Sequence, residues 1–318
     1  MNSNHALIFL LFVPALAGCI SRAPVEETPV MLQRAESFMA QGVQKYERFE
    51  YSVARTKFVL AYHEYQSFNE KQGVVRSCLN LARVALDLGE LEEAEKQLQR
   101  ARKIIDEYQL TQLAVYCDII ASSLLIREEQ YDQAEKLLAP YLADNNELVP
   151  KEISEVAVAI IQNRTRIAFG KGEDERKWLE RYRKAVADME KYRPRLLRFE
   201  AAQALQDEGA EKALELLEEA LELYRLHSDP KGVAYTSLEV ADIEDDASMY
   251  EEAIEDYQRG LSAGFRIRDR RVVISALEGL IRLYGKLESK EELKPMVNLL
   301  DEIVQAGKEK PWYLLRIE

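Results

Sequence analysis

The chain has 318 residues, with 43 Lys and Arg against 56 Asp and Glu, a net charge of −13, and only 13 Gly and 9 Pro. The acidic excess argues against general binding to nucleic acid or to anionic membrane surfaces, which depends on cation–phosphate contacts. Leu, Ala, Glu, Lys, Arg and Gln dominate and alternating Val-, Ile- and Thr-rich runs are missing, so the chain is predicted to be all-α.

The N-terminus opens with an apolar stretch from Ala6 to Leu16, interrupted by Pro14 and free of charged residues. As helix it would cover about 16 Å, half of a hydrocarbon core, so it reads as an export signal and not as a span. The stretch ends in Leu16-Ala17-Gly18-Cys19, which resembles the bacterial lipobox. That resemblance implies a signal peptide over residues 1–18, lipidation of Cys19, and a mature chain held to a membrane by acyl chains. One departure is that Met1 to His5 contains no Lys or Arg. Ile20 and Ser21 stand where an Asp would imply retention at the inner membrane, so the resemblance implies the outer membrane, facing the periplasm. Residues 19–30, with Pro24 and Pro29, are expected to be an extended tether.

From Met31 onward the chain repeats. The clearest unit is Asn80-Leu81-Ala82, Leu88-Gly89, then Leu91-Glu92-Glu93-Ala94 with Leu98 and Ala101. Its alanine recurs as Ala54, Ala94, Ala134, Ala213 and Ala253, with Leu293 in the same place, at spacings of 40, 40, 79, 40 and 40 residues. The spacing of 79 implies a degenerate unit near Asp174 to Trp178. A second marker keeps the same register: Gly73 and Gly232 each lie 21 residues before an alanine of the series, in Gln72-Gly73-Val74 and Lys231-Gly232-Val233. This pattern resembles the tetratricopeptide repeat in a longer-helix form. The resemblance covers residues 31–305 and implies a right-handed α-solenoid of about seven antiparallel helix pairs. Small residues such as Ala94 and Ala101 let the paired helices approach closely. Met31–Gln44 is expected to be the first helix and Met296–Val304 the last. The apolar tail, residues 306–318 with Pro311-Trp312-Tyr313, is expected either to cap the last repeat or to dock a partner.

No catalytic or cofactor pattern stands out. His63 lacks a second histidine four residues on, His227 stands alone, and no phosphate-binding or dinucleotide-binding glycine motif is present. Glu92-Glu93 and Glu251-Glu252 are read as solvated helix starts. Asn163-Arg164-Thr165 is a glycosylation sequon without force in a bacterial lipoprotein. Cys78 and Cys117, 39 residues apart, are open to two readings: small buried residues, or a disulfide.

In the resembled family, partners lie along the concave face lined by the first helix of each pair. Aligned unit by unit, that face is expected to present Arg76, Leu79 and Arg83, then Tyr116, Ile119 and Ser123, then Arg195 and Arg198, Tyr235, Leu238 and Asp242, and finally Glu278 and Arg282. Arg and Tyr are favoured interface anchors. The expectation is a non-enzymatic scaffold that binds envelope proteins without metal or cofactor. Tetratricopeptide lipoproteins serve pilus assembly, outer-membrane protein insertion and cell-wall synthesis, an analogy from fold. The run from Arg176 to Arg198 holds nine Lys or Arg against three acids, and Arg266, Arg268, Arg270 and Arg271 form a second basic cluster. These leave an alternative open: binding of an anionic glycan or lipid head group through Arg195, Arg198 and their neighbours.

Overall fold

A computed structural model describes residues 30–142 and 154–306. Cys19, its signal and its tether lie outside the described residues, as does the tail from Gly307. Among the described residues there are fourteen α-helices and no strand. They form seven pairs: α1 (Val30–Glu47) with α2 (Tyr51–Ser67), α3 (Lys71–Asp87) with α4 (Leu91–Glu107), α5 (Ala114–Arg127) with α6 (Tyr131–Leu138), and α7 (Ser154–Lys171) with α8 (Glu175–Ala185). The series continues with α9 (Arg193–Asp207) and α10 (Ala210–Leu226), α11 (Pro230–Asp246) and α12 (Tyr250–Ile267), and α13 (Arg270–Lys286) and α14 (Lys290–Gln305). Consecutive helices pack on one another along the chain, giving a tetratricopeptide-like α-solenoid.

The turns explain the period. In seven links of three residues the middle one is left-handed, namely Phe49, Asn69, Gly89, Glu129, Ser228, Ser248 and Glu288, and Gln109 in a longer link and Arg268 in a two-residue one adopt the same conformation, all nine with φ between 53° and 73°. The residue after the left-handed one donates its N–H back across the turn, as Glu70 N does to Tyr65 O (2.9 Å), Glu90 N to Ala85 O (2.8 Å) and Asp229 N to Tyr224 O (2.8 Å). This is the Schellman closure of a helix C-terminus. The same residue then starts the next helix: the side chains of Glu70, Asp229 and Asp269 accept the first free N–H groups of α3, α11 and α13. Only one of these nine left-handed positions is glycine. The fold therefore carries the strain of left-handed non-glycine residues, about 1–2 kcal/mol each, at most of its hairpins. The acidic pairs Glu92-Glu93 and Glu251-Glu252 sit in the first turns of α4 and α12, where the helix dipole favours negative charge.

The alanine series forms the hairpin contact. Ala54, Ala94, Ala134, Ala213 and Ala253 are each the fourth residue of the second helix of a pair, and all are fully buried. In the degenerate fourth pair Trp178 takes that place, buried, with the guanidiniums of Arg164 and Arg181 each 4.7 Å from its ring centre. Its helix, α8, has 11 residues against 17 in α4 and α10. The short α6 ends before Ala139-Pro140, because proline excludes the preceding residue from regular helix.

The glycine marker also acquires a cause. The ring of Tyr65, near the end of α2, lies over Gly73 of α3, and Tyr224 of α10 lies over Gly232 of α11. A Cβ on either glycine would fall under 3 Å from the ring. At the next joint the partners are exchanged: Gly264 of α12 faces Val272 of α13, again too close for a Cβ. Each of these three joints thus pairs a larger side chain with a bare backbone.

The first helix runs to Glu47, past the expected Gln44. The last begins at Lys290, before the expected Met296, and passes through Pro295, so proline near a helix start did not delimit it. The apolar core is divided into several clusters, and the largest does not follow the chain: Ala234, Ile267 and Val272 of the sixth and seventh pairs join the apolar cluster of pairs one to three. The superhelix curls until its sixth pair meets its second and third.

Candidate functional site

The first helices of the pairs line the concave wall, and their polar residues form a ladder at the repeat spacing. Arg76 of α3 makes a two-pronged contact with Glu36 of α1, at 2.9 and 3.1 Å. Arg198 of α9 grips Glu239 of α11, its Nε 2.8 Å from Oε2. Arg282 of α13 donates Nε to Asp245 of α11 at 2.7 Å and Nη2 to Tyr257 Oη at 2.7 Å. Asp242 accepts a hydrogen bond from Tyr257 at 2.5 Å. Arg83 lies 4.7 Å over the ring of Tyr46. Asn163 of α7, the sequon residue, is buried and donates to Ile119 O at 3.0 Å and to Ser122 and Ser123 Oγ at 2.9 and 2.8 Å.

Much of the expected binding face is therefore engaged within the protein. Leu79 is buried in the core, and Leu238 packs partly buried between two apolar clusters. Tyr116 and Ile119 are half-buried against the third-pair cluster. Glu278 is exposed. Arg195 is half-buried on the wall and makes no hydrogen bond or ion pair among the described residues.

A second polar system crosses the wall between repeats distant in sequence. Asp87, the last residue of α3, takes hydrogen bonds from Tyr46 Oη and from Lys231 Nζ of α11. Arg127, the last residue of α5, donates Nη2 to Tyr235 Oη at 3.0 Å, and Tyr235 donates on to Asp269 Oδ2 at 2.6 Å. Arg127 itself lies 3.8 Å from Asp269, which is fully buried and caps α13. Arg271 Nη1 reaches Arg127 O at 3.1 Å, and Arg268 Nη1 reaches Ser52 Oγ at 2.8 Å. The turn between α12 and α13 is thereby tied to α2 and α5, and α11 is tied to α3.

The electrostatics of this system are lopsided. Burial pushes the Asp87 carboxyl up, but the charge and hydrogen bond of Lys231 outweigh it and hold the group below the usual carboxylate range. Burial lowers the Lys231 ammonium, with Asp87 working against that. Arg166 of α7 is the extreme case. Burial, then the charges of Arg195, Arg127 and Arg198, pull its guanidinium down to about 10. Among the described residues its one hydrogen bond is a long one, 3.5 Å from Nη1 to Asn163 Oδ1.

Asp87, Arg127, Arg166, Lys231 and Asp269 do not emerge from the repeat alignment. Asp87 meets Lys231, and Arg127 meets Asp269, across repeats that are not neighbours, so no period marks them, while Arg166 lies in the degenerate fourth pair between Arg127 of the third and Arg195 of the fifth. The one sequence sign was the Lys231-Gly232-Val233 marker, whose lysine proves to be the cross-link. Among the described residues, no group of three or more His, Cys, Asp and Glu is arranged to hold a metal ion. Cys78 and Cys117 are buried free thiols. No described helix is long and apolar enough to cross a membrane.

No family model matches the chain, and no curated protein matches it. Among solved structures it is similar to a Rap protein, determined in complex with competence and sporulation factor, at 14% identity and a TM-score of 0.43. The match covers 87% of this chain and 79% of that one. A likeness this distant does not bear on function.

Proposed function

We propose that this protein is a lipid-tethered, non-enzymatic scaffold of a bacterial envelope, anchored through Cys19 and holding its solenoid on the periplasmic side of the outer membrane. The observation that carries the reading is the placement of a seven-pair helical solenoid directly after a lipobox-like sequence. The first helix begins at Val30, eleven residues beyond Cys19, so the intervening chain can hold the solenoid at most about 40 Å from its anchor. Rigid stacked helices present Arg and Tyr side chains along one wall, which suits recognition of an envelope protein. Assembly of a pilus, of outer-membrane proteins or of the cell wall are the processes such a scaffold would serve.

The test is fractionation of cells expressing the full-length protein and its Cys19→Ala variant, followed by cross-linking and mass spectrometry of the membranes. The reading expects the wild type in the outer-membrane fraction with a reproducible envelope-protein partner, and loss of both with Cys19→Ala. Unchanged membrane attachment of the variant would refute the anchor. Attachment without any protein partner would refute the scaffold.

A further inference from the structure

We propose that the concave wall holds a binding site for a phosphate monoester, formed by Arg166 of α7 and Arg195 of α9 and framed by Arg127, Arg198 and Lys231. The site does not depend on the lipid anchor or on a protein partner.

Five cations stand on neighbouring first helices of this part of the wall: Lys231 lies on α11, Arg127 of α5 is joined to α11 through Tyr235, Arg198 of α9 is joined to it through Glu239, Arg195 is one turn before Arg198, and Arg166 of α7 is one turn beyond Asn163, which is bonded to α5. Three carboxylates answer them. Asp87 takes Lys231, Asp269 takes Arg127 through Tyr235, and Glu239 takes Arg198. At least two positive charges are left over, on Arg166 and Arg195, in a protein whose net charge is −13. Elsewhere on the wall Arg76 has Glu36, Arg282 has Asp245, and Arg83 lies over the ring of Tyr46. Concentrating like charges where water is partly excluded destabilises a fold. Such an arrangement is expected where a ligand supplies the missing negative charge.

The geometry narrows the ligand. Asn163, locked to α5 through Ile119, Ser122 and Ser123, fixes the turn of α7 that carries Arg166. Arg127 is fixed by Tyr235, and Arg198 by Glu239. The guanidiniums therefore stand on rigid supports before any ligand arrives. Two unmatched guanidiniums call for a compact dianion with several acceptor oxygens, which a phosphate monoester supplies near neutral pH and a single carboxylate does not. The ties between the α12–α13 turn and α2 and α5 bridge the wall nearby, which favours a small soluble molecule over a lipid in a bilayer.

The test is isothermal titration calorimetry on the whole protein with glycerol 3-phosphate, against tetraglutamate and against sodium chloride of matched ionic strength. A soluble dihexanoyl phosphatidic acid tests whether a diacyl tail is accepted. The proposal expects saturable binding of glycerol 3-phosphate, weakened at least about tenfold in an Arg166→Gln/Arg195→Gln variant and unchanged in Arg181→Gln. It further expects the double variant to melt at a higher temperature than wild type without ligand, since removing unpaired like charges relieves repulsion. Binding of the lipid analogue as well would support the site and assign its phosphate to a head group. Absence of saturable binding, equal binding by the double variant, or preference for tetraglutamate over the phosphates would overturn it.

Discussion

Replacing Gly232 by alanine isolates the joint between the fifth and sixth pairs. In an unobstructed helix the change stabilises by about 0.5–1 kcal/mol, because alanine loses less backbone freedom. Here the new methyl group would meet the ring of Tyr224 under 3 Å away. That ring is buried and seated against a helix backbone, so it cannot rotate into solvent. Overpacking of this kind costs about 1–3 kcal/mol. With an immobile ring the upper part of that range applies, and the net effect is a loss of about 1–2 kcal/mol. Gly285, in α13, has nothing within 4 Å of its would-be Cβ, so Gly285→Ala should stabilise by the helical term alone. The decisive measurement is a double-mutant cycle with Tyr224→Ala, read from urea unfolding followed by circular dichroism. With the ring gone, Gly232→Ala should change sign and stabilise. If Gly232→Ala has the same effect with and without Tyr224, the ring-over-glycine account of the joint is wrong.

Three further outcomes follow from the structure. Glu244, buried and close to Asp256, has its carboxyl pushed up to about 7, first by burial and then by that neighbour. The folded form thus holds its proton more tightly than the unfolded one, and the resulting stability is full below about pH 4.5 and lost as pH rises to about 7. Glu244→Gln should match wild type at pH 5 and exceed it at pH 8 by about 1 kcal/mol in urea melts, and equality at both values would contradict this. Asp269→Asn retains an acceptor for the α13 cap and loses the charge facing Arg127, whereas Asp269→Ala loses both. The alanine variant should be less stable than the asparagine one by about 1 kcal/mol, and equal urea midpoints would show that the cap contributes nothing. Burial pushes the thiols of Cys78 and Cys117 up to about 11. A thiol reagent at pH 8 should label neither until urea is added, and stoichiometric labelling of the native protein would refute their burial.

The architecture was legible because its contacts recur. The alanine series places a methyl group at each regular hairpin, and the contact survives a fourth pair in which Trp178 stands 44 residues after Ala134 and 35 before Ala213. The turns were less visible, because Phe49, Asn69, Gln109, Glu129, Ser228, Ser248, Arg268 and Glu288 adopt a conformation that sequence normally signals with glycine. The wall was legible by position and not by state. Arg76, Arg198 and Arg282 were placed on it by alignment, yet their partners Glu36, Glu239 and Asp245 lie about one repeat away and are set by side-chain reach. The Asp87–Lys231 tie escaped because curvature of the whole stack brings its ends together, and Arg166 escaped because it sits in the fourth pair, where the repeat is degenerate. Small rotations summed over several pairs leave no local signature.

That curvature changes what kind of object the protein is. An open stack touches only its nearest neighbours, so its ends can fray independently and folding can spread from any unit. Here Asp87 meets Lys231 across 144 residues, and Ser52 meets Arg268 across 216. Forming those contacts closes very long loops, which places a late, entropically slow step on the folding path. Once made, they couple the early and late pairs, so hydrogen exchange should be protected together in α3 and α11 despite the distance between them along the chain.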